Sequence, residues 1–135
     1  MKNSPASTEQ MSKIVKAGKE ILILSLILKH PISGYDLIKQ IYAETNVFLS
    51  QGSVYPILYT FEEAGIIRAE YEKGNMRTKM YHITPLGSEL IQDEIEHFFQ
   101  ALNQFANLIG VSDTNNPHPA GRPFFMKHFY ADMIQ

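Results

Sequence analysis

Three cations and no acid fall within the seven residues Lys73 to Lys79, K-G-N-M-R-T-K, in a chain whose formal net charge is −2. Such a concentrated positive point suits contact with phosphate, although a solvated loop carries the same pattern, so the element that presents it has to decide. Residue types that would support catalysis are poorly arranged. Asp93, Glu94 and Glu96 could be read as paired carboxylates, yet they lie around a helix surface with no pocket signature nearby. The histidines, His30, His82, His97, His118 and His128, are scattered, and only His128 and Asp132 share an i, i+4 spacing. One such pair is too little for a metal site. Cysteine is absent, and neither a phosphate-cradling glycine loop nor a serine nucleophile elbow is present. No enzyme activity, metal or cofactor is therefore expected.

The cations need a scaffold, and the composition bounds it. The 135 residues are 44% hydrophobic and 19% charged, the size and balance of one globular domain with appendages. Lack of cysteine fits a reducing compartment. The apolar run Ile21 to Leu28 is interrupted by Ser25 and falls far short of the ~20 residues that span a bilayer. The N-terminal residues M-K-N-S-P-A-S-T-E-Q lack the apolar core of a secretion signal, so a cytoplasmic protein without membrane association is expected. Charge is uneven along the chain. Residues 1 to 39 sum to +3, 40 to 65 to −3, 66 to 81 to +2 and 82 to 96 to −4, while the remainder balances.

Residues 1 to 12 are polar and read as a flexible N-terminal arm. From Lys13 to Lys29 the apolar residues Ile14, Ala17, Ile21, Leu24 and Leu28 recur at helical spacing, and His30-Pro31 ends that helix. Ser33 opens S-G-Y-D, a capping-box pattern that starts a second helix running to about Glu44, with Leu37, Ile38, Ile41 and Tyr42 as its buried stripe. A third helix carries Val54, Ile57, Leu58 and Phe61 on one apolar face. Pro56 is expected in its first turn, which puts the cap near Gly52 or Ser53, and Gly65 closes it. Ile66 to Glu72 and Thr78 to Thr84 read as a hairpin with K-G-N-M-R as an exposed basic tip.

Thr84 and Pro85 then supply the cap and first position of a fourth helix reaching about Ile109. Ile91, Ile95, Phe98, Leu102, Phe105 and Ile109 are spaced 4, 3, 4, 3 and 4, the rhythm of a helix seam. A helix of this length, ~37 Å, is longer than one small domain can cover, so the seam is expected to face a second copy of the chain. Residues 111 to 123 read as a linker. Residues 124 to 135, with Phe125, Phe129 and Met133 at i, i+4 and i+8, are either a short docking helix or irregular chain.

Three helices followed by a hairpin is the order of a winged helix-turn-helix, mainly α with a small β-hairpin, here over residues 13 to 84 and joined to a dimerisation helix over 85 to 110. In that fold the third helix enters the major groove, so base contacts are expected around Gln51, Ser53 and Pro56, and phosphate contacts from Lys73, Arg77 and Lys79. The stretches S-G-Y-D-L-I-K-Q-I, G-S-V-Y-P-I-L-Y-T-F-E-E-A-G-I-I and K-M-Y-H-I-T-P-L-G resemble the three signature segments of the PadR family of transcriptional regulators. The likeness runs from about Lys19 to Leu90.

The resemblance implies a homodimer joined through its C-terminal helix and bound to double-stranded operator DNA, usually as a repressor, in some members with a ligand cavity at the dimer interface. No motif here names an inducer. Tyr55 resembles the family's helix tyrosine that reaches the DNA backbone, with a half-buried packing role as the alternative. Tyr59, one turn on, is as readily a packing residue as a DNA contact. Three departures stand out. Ser53-Val54 replaces a common Thr-Leu, and Met80 and His82 occupy places often filled by Tyr and Arg, which would weaken one phosphate contact or make it pH-dependent. Tryptophan is absent, so multidrug sensing by ring stacking is unsupported. The short tail resembles the smaller-tailed branch of the family, in which the cyanobacterial circadian period-extender proteins also join a winged domain to a long helix. A protein-interaction adaptor that keeps the fold without binding specific DNA remains the alternative function.

Overall fold

A computed structural model of the chain describes residues 8–111. The elements run α1 (Thr8–Ala17), α2 (Lys19–Lys29), β1 (Ile32–Ser33), α3 (Gly34–Thr45), α4 (Gln51–Glu63), β2 (Ile67–Glu72), β3 (Asn75–Ile83) and α5 (Pro85–Leu108). The chain divides into two units, Met1–Gln92 and Asp93–Gln135, the division falling within α5. The mainly helical fold with its three-stranded antiparallel sheet is a winged helix.

The first unit is built around Ile23, Ile27, Leu37, Ile41, Val54, Leu58, Ile67 and Ile91, all fully buried. Each such side chain stabilises the fold by roughly 1.5–3 kcal/mol relative to exposure. α1 packs on α2, α3 on α4, α2 on β3, and α4 on β2, so the core lies between the helices and one face of the sheet. Ser33 caps α3 as its sequence pattern indicates, accepting from the Asp36 N–H at 3.1 Å. Thr84 caps α5 in the same way, accepting from the Gly87 N–H at 3.0 Å, while its hydroxyl also lies 2.9 Å from the Ile66 carbonyl oxygen.

The expected single helix from Lys13 to Lys29 is two helices, and it starts inside the expected flexible arm. Gly18, at φ −107° and ψ 19°, leaves helical geometry and breaks it. Glycine in a helix costs about 0.5–1 kcal/mol relative to alanine, and a break here lets the two segments bury different faces. Val15 is buried and Ile14 exposed, opposite to the apolar spacing. Tyr42, expected in the buried stripe of α3, is exposed.

α4 begins earlier than expected. Ser50 is its cap, accepting from the Ser53 N–H at 3.2 Å, so Pro56 is the sixth helical residue rather than a member of the first turn. The bond its missing N–H forgoes would have gone to the carbonyl of Gly52, an exposed position that water can satisfy. The turn before α4 is anchored by buried Val47 and Leu49, and Asn46 takes the left-handed conformation at φ 60° to end α3.

β1 has no counterpart in the sequence reading. It pairs antiparallel with β3 through Ile32↔Tyr81 and Ser33↔Met80, giving the strand order β1-β3-β2. The wing itself is longer than expected: β3 starts at Asn75, and Lys73-Gly74 forms a two-residue turn with Gly74 at φ +79°. Tyr71 pairs with Lys79 but Glu72 pairs with Asn75, so Met76, Arg77 and Thr78 form a bulge in β3. The expected linker beyond residue 111 and the segment 124–135 lie outside the described residues.

Candidate nucleic-acid interface

The outward face of α4 carries Gln51, Tyr55, Pro56, Tyr59 and Thr60, opposite to the buried Val54, Leu58 and Phe61. Tyr59 donates its hydroxyl to Glu63 Oε2 at 3.3 Å, which holds the phenol along the helix surface. Ser53 departs from expectation. Its Oγ is buried and has no hydrogen-bond partner, so this hydroxyl is turned away from the face that a base edge would meet. Helix periodicity sets Ser53 off the apolar face of α4, but it holds no information about where so small a side chain points.

Tyr55 is 39% exposed, and its ring lies against Gly34 at the start of α3. A Cβ at Gly34 would come within 2.8 Å of the Tyr55 hydroxyl oxygen, so the absence of a side chain at position 34 creates the seat for the phenol. Tyr55 then joins Arg77 and Lys79 in lining one cleft of about 430 Å³ between α3, α4 and the wing. Ser33, Tyr35, Tyr71, Thr78 and Tyr81 complete its polar and aromatic lining, with Met76 at its wing side. Tyr35, Tyr71 and Tyr81 escaped the sequence reading because they come from three separate elements, α3, β2 and β3.

The wing cations are not equivalent. Lys73 and Arg77 are exposed with no ion pair among the described residues, whereas the Lys79 ammonium lies 4.0 Å from Glu62 Oε1 on α4. Both partners of that pair are well exposed, so it adds little stability, but it draws Lys79 towards α4. His82 faces Glu70 across the sheet, Nε2 to Oε2 being 3.4 Å, and Arg68 binds the same carboxylate. The imidazole is thus engaged with a carboxylate within the sheet. Burial pushes the Tyr81 phenol up from its ordinary value, with the Glu62 carboxylate and the neighbouring Tyr55 and Tyr71 adding to the shift. Tyr81 therefore stays a neutral hydrogen-bond donor in the cleft at physiological pH.

Along α5, the seam separates into two parts. Ile91 and Ile95 are 0% and 2% exposed in the single chain, while Leu102, Phe105 and Ile109 are exposed and Phe98 is half-buried. The expectation that all six face a second copy is therefore corrected for Ile91 and Ile95, which are already covered. A helix seam read from spacing alone does not reveal which stretch the chain covers itself.

Helix-turn-helix followed by a wing, with tyrosine and basic residues gathered between recognition helix and wing, defines a DNA-binding regulator of the winged-helix class. The chain belongs to the transcriptional regulator PadR-like family, whose model matches residues 23–93, and this is a family of regulators rather than enzymes. A PadR-like transcriptional regulator from Bacillus cereus is similar at 25% identity and a TM-score of 0.63, the match covering 75% of this chain and 100% of that one. A transcriptional regulator from Thermoplasma acidophilum is similar at 28% identity and a TM-score of 0.61, covering 75% and 99%. One from Clostridium thermocellum shares the fold at 22% identity and a TM-score of 0.65, covering 74% and 100%. No curated protein sequence matches the chain. The likeness to circadian period-extender proteins finds no support in these comparisons. Among the described residues no helix is long and apolar enough to cross a membrane.

Proposed function

We propose that the chain is a cytoplasmic, sequence-specific repressor that binds an inverted repeat in operator DNA as a homodimer. The observation that carries this reading is the convergence of Tyr55, Arg77 and Lys79 on one cleft beside the outward face of α4. A phosphodiester in that cleft would meet two cations and several phenolic donors, while Gln51 and Pro56, on the same helix, would approach base edges in the adjacent major groove. The second copy would cover Leu102, Phe105 and Ile109, and the two-fold axis it creates would place half-sites ~10 bp apart or a multiple of that.

Footprinting on genomic fragments tests the reading, with a protected palindrome expected. Replacing Lys73 or Arg77 by Ala should weaken cognate and random duplexes together and flatten the salt slope by about one unit each. Lys79→Ala should do less, because Glu62 already neutralises part of its charge. The adaptor reading is favoured by a specific observation: α4 has no cation, and its Glu62 and Glu63 bring negative charge close to the wing. Non-specific affinity without a protected palindrome would give that reading precedence instead.

A further inference from the structure

The bulge in β3 presents an apolar side chain at the most basic point of the molecule. Met76 is 77% exposed and stands between Lys73 and Arg77 in sequence. An exposed methionine is ordinary on a loose loop, but this one sits on a braced support. The Asn75 side chain accepts from the Arg77 N–H at 3.0 Å and donates to Thr78 Oγ1 at 3.0 Å, closing a polar clasp around position 76. The clasp fixes the backbone of the bulge, and the Lys73-Gly74 turn holds its other flank.

We propose that Met76 is a wedge that enters the DNA minor groove and unstacks one base step, bending the duplex around the wing. The inference rests on the DNA-binding reading and adds a specificity-determining residue to it. Three features support the wedge. The thioether side chain is unbranched and polarizable, so it can slide between bases without a fixed shape. The flanking cations supply the attraction that brings an apolar tip against a polyanion, since the tip itself has no affinity for phosphate. The clasp limits the backbone freedom that would otherwise let the side chain fold back when it meets the groove. Apolar wedges of this kind kink DNA by about 20–90°, most readily at flexible pyrimidine–purine steps, so Met76 would select such a step without any hydrogen bond to a base.

The test uses the full chain and a duplex enriched from a random library on the immobilised protein, labelled for energy transfer at two positions roughly 20 bp, or about 68 Å, apart across the bound site. Wild-type protein should shorten the distance between the labels on binding. Met76→Ala should still bind but leave the duplex nearly straight, whereas Met76→Leu, which keeps an apolar tip, should restore the bend. Lys73→Ala should weaken binding several-fold while the saturated complex stays bent. Equal bending by wild type and Met76→Ala overturns the wedge and leaves the DNA-binding reading standing. Enrichment of no duplex at all overturns both.

Discussion

Gly34→Ala should lower DNA affinity while leaving the fold nearly as stable as before. The new methyl group would sit 2.8 Å from Cζ and the hydroxyl oxygen of Tyr55 and 2.9 Å from Cε1. Carbon atoms in contact prefer about 3.5–4.0 Å, so the ring has to retreat by roughly 0.7 Å or more. Tyr55 can do so, because the crowded atoms are the far end of a side chain that is 39% exposed. Overpacking of a rigid site costs about 1–3 kcal/mol, but a ring free to swing keeps the cost at the low end. Gly34 is the first residue of α3, so alanine gains back part of the roughly 0.5–1 kcal/mol that separates the two residues in a helix interior. Net destabilisation should stay below ~1 kcal/mol, a melting shift of at most ~4–8 °C for a domain of this size. DNA binding has no such compensation. A displaced phenol would lose the phosphate bond proposed for it, worth about 1 kcal/mol, or roughly a fivefold weaker Kd.

Fluorescence anisotropy on wild type, Gly34→Ala, Tyr55→Phe and the double variant closes a double-mutant cycle. Each single substitution should weaken binding about fivefold and the double variant no further, since both remove the same hydrogen bond. Equal losses from Gly34→Ala in the Tyr and Phe backgrounds would refute the reasoning, because the effect would then not run through the hydroxyl. A melting temperature lowered by more than ~10 °C would refute it differently, by showing that the ring cannot move.

Gly87→Ala should behave in the opposite way, since its methyl group would lie 2.1 Å from the Ile66 carbonyl oxygen, a backbone atom that cannot swing aside. Thermal or urea unfolding should show a loss of ~1–3 kcal/mol or more. Phe105→Glu should dissociate the proposed dimer in sedimentation equilibrium and leave the monomer folded, because Phe105 is 61% exposed in the single chain. A dimer that survives this change would place the interface elsewhere. Tyr81, whose folded-state pKa is raised, holds its proton more tightly folded than unfolded. Its stabilising contribution is therefore fully present below the unfolded value near about 10 and is lost as pH rises towards the folded value. Urea midpoints measured across that window should fall less steeply for Tyr81→Phe than for wild type.

The caps and punctuation of this fold are written locally, which is why Ser33, Thr84 and Pro85 could be assigned from the sequence. Ser50 could not, because Pro56 drew the expected start of α4 towards itself, and only the observed cap shows that a proline six residues into the helix is tolerated. β1 is two residues long, too short for alternation to register, and its partners Tyr81 and Met80 lie almost fifty residues away. The break at Gly18 is invisible to periodicity because apolar residues continue on both sides of it. Of the candidate site, the wing cations and the outward residues of α4 were legible as types, but their meeting in one cleft depends on tertiary packing. Glu62 beside Lys79 illustrates the point: each was visible, but their pairing was not.

The short pairing of Ile32 and Ser33 with Tyr81 and Met80 gives the winged domain a property of a calliper with a locked jaw. Ser33 caps the helix that carries the front of the helix-turn-helix, and Tyr81 belongs to the wing's return strand, so the two arms are joined by backbone hydrogen bonds rather than by loop chain. On the DNA-binding reading proposed above, a reader whose span this pairing holds would not widen or narrow its grip to suit each duplex. The distance between the major groove and the neighbouring minor groove would instead adjust to the protein, and sequences differ in the energy that adjustment takes. Part of the choice among DNA sites would then be made by the stiffness of the DNA, at base pairs that no side chain touches.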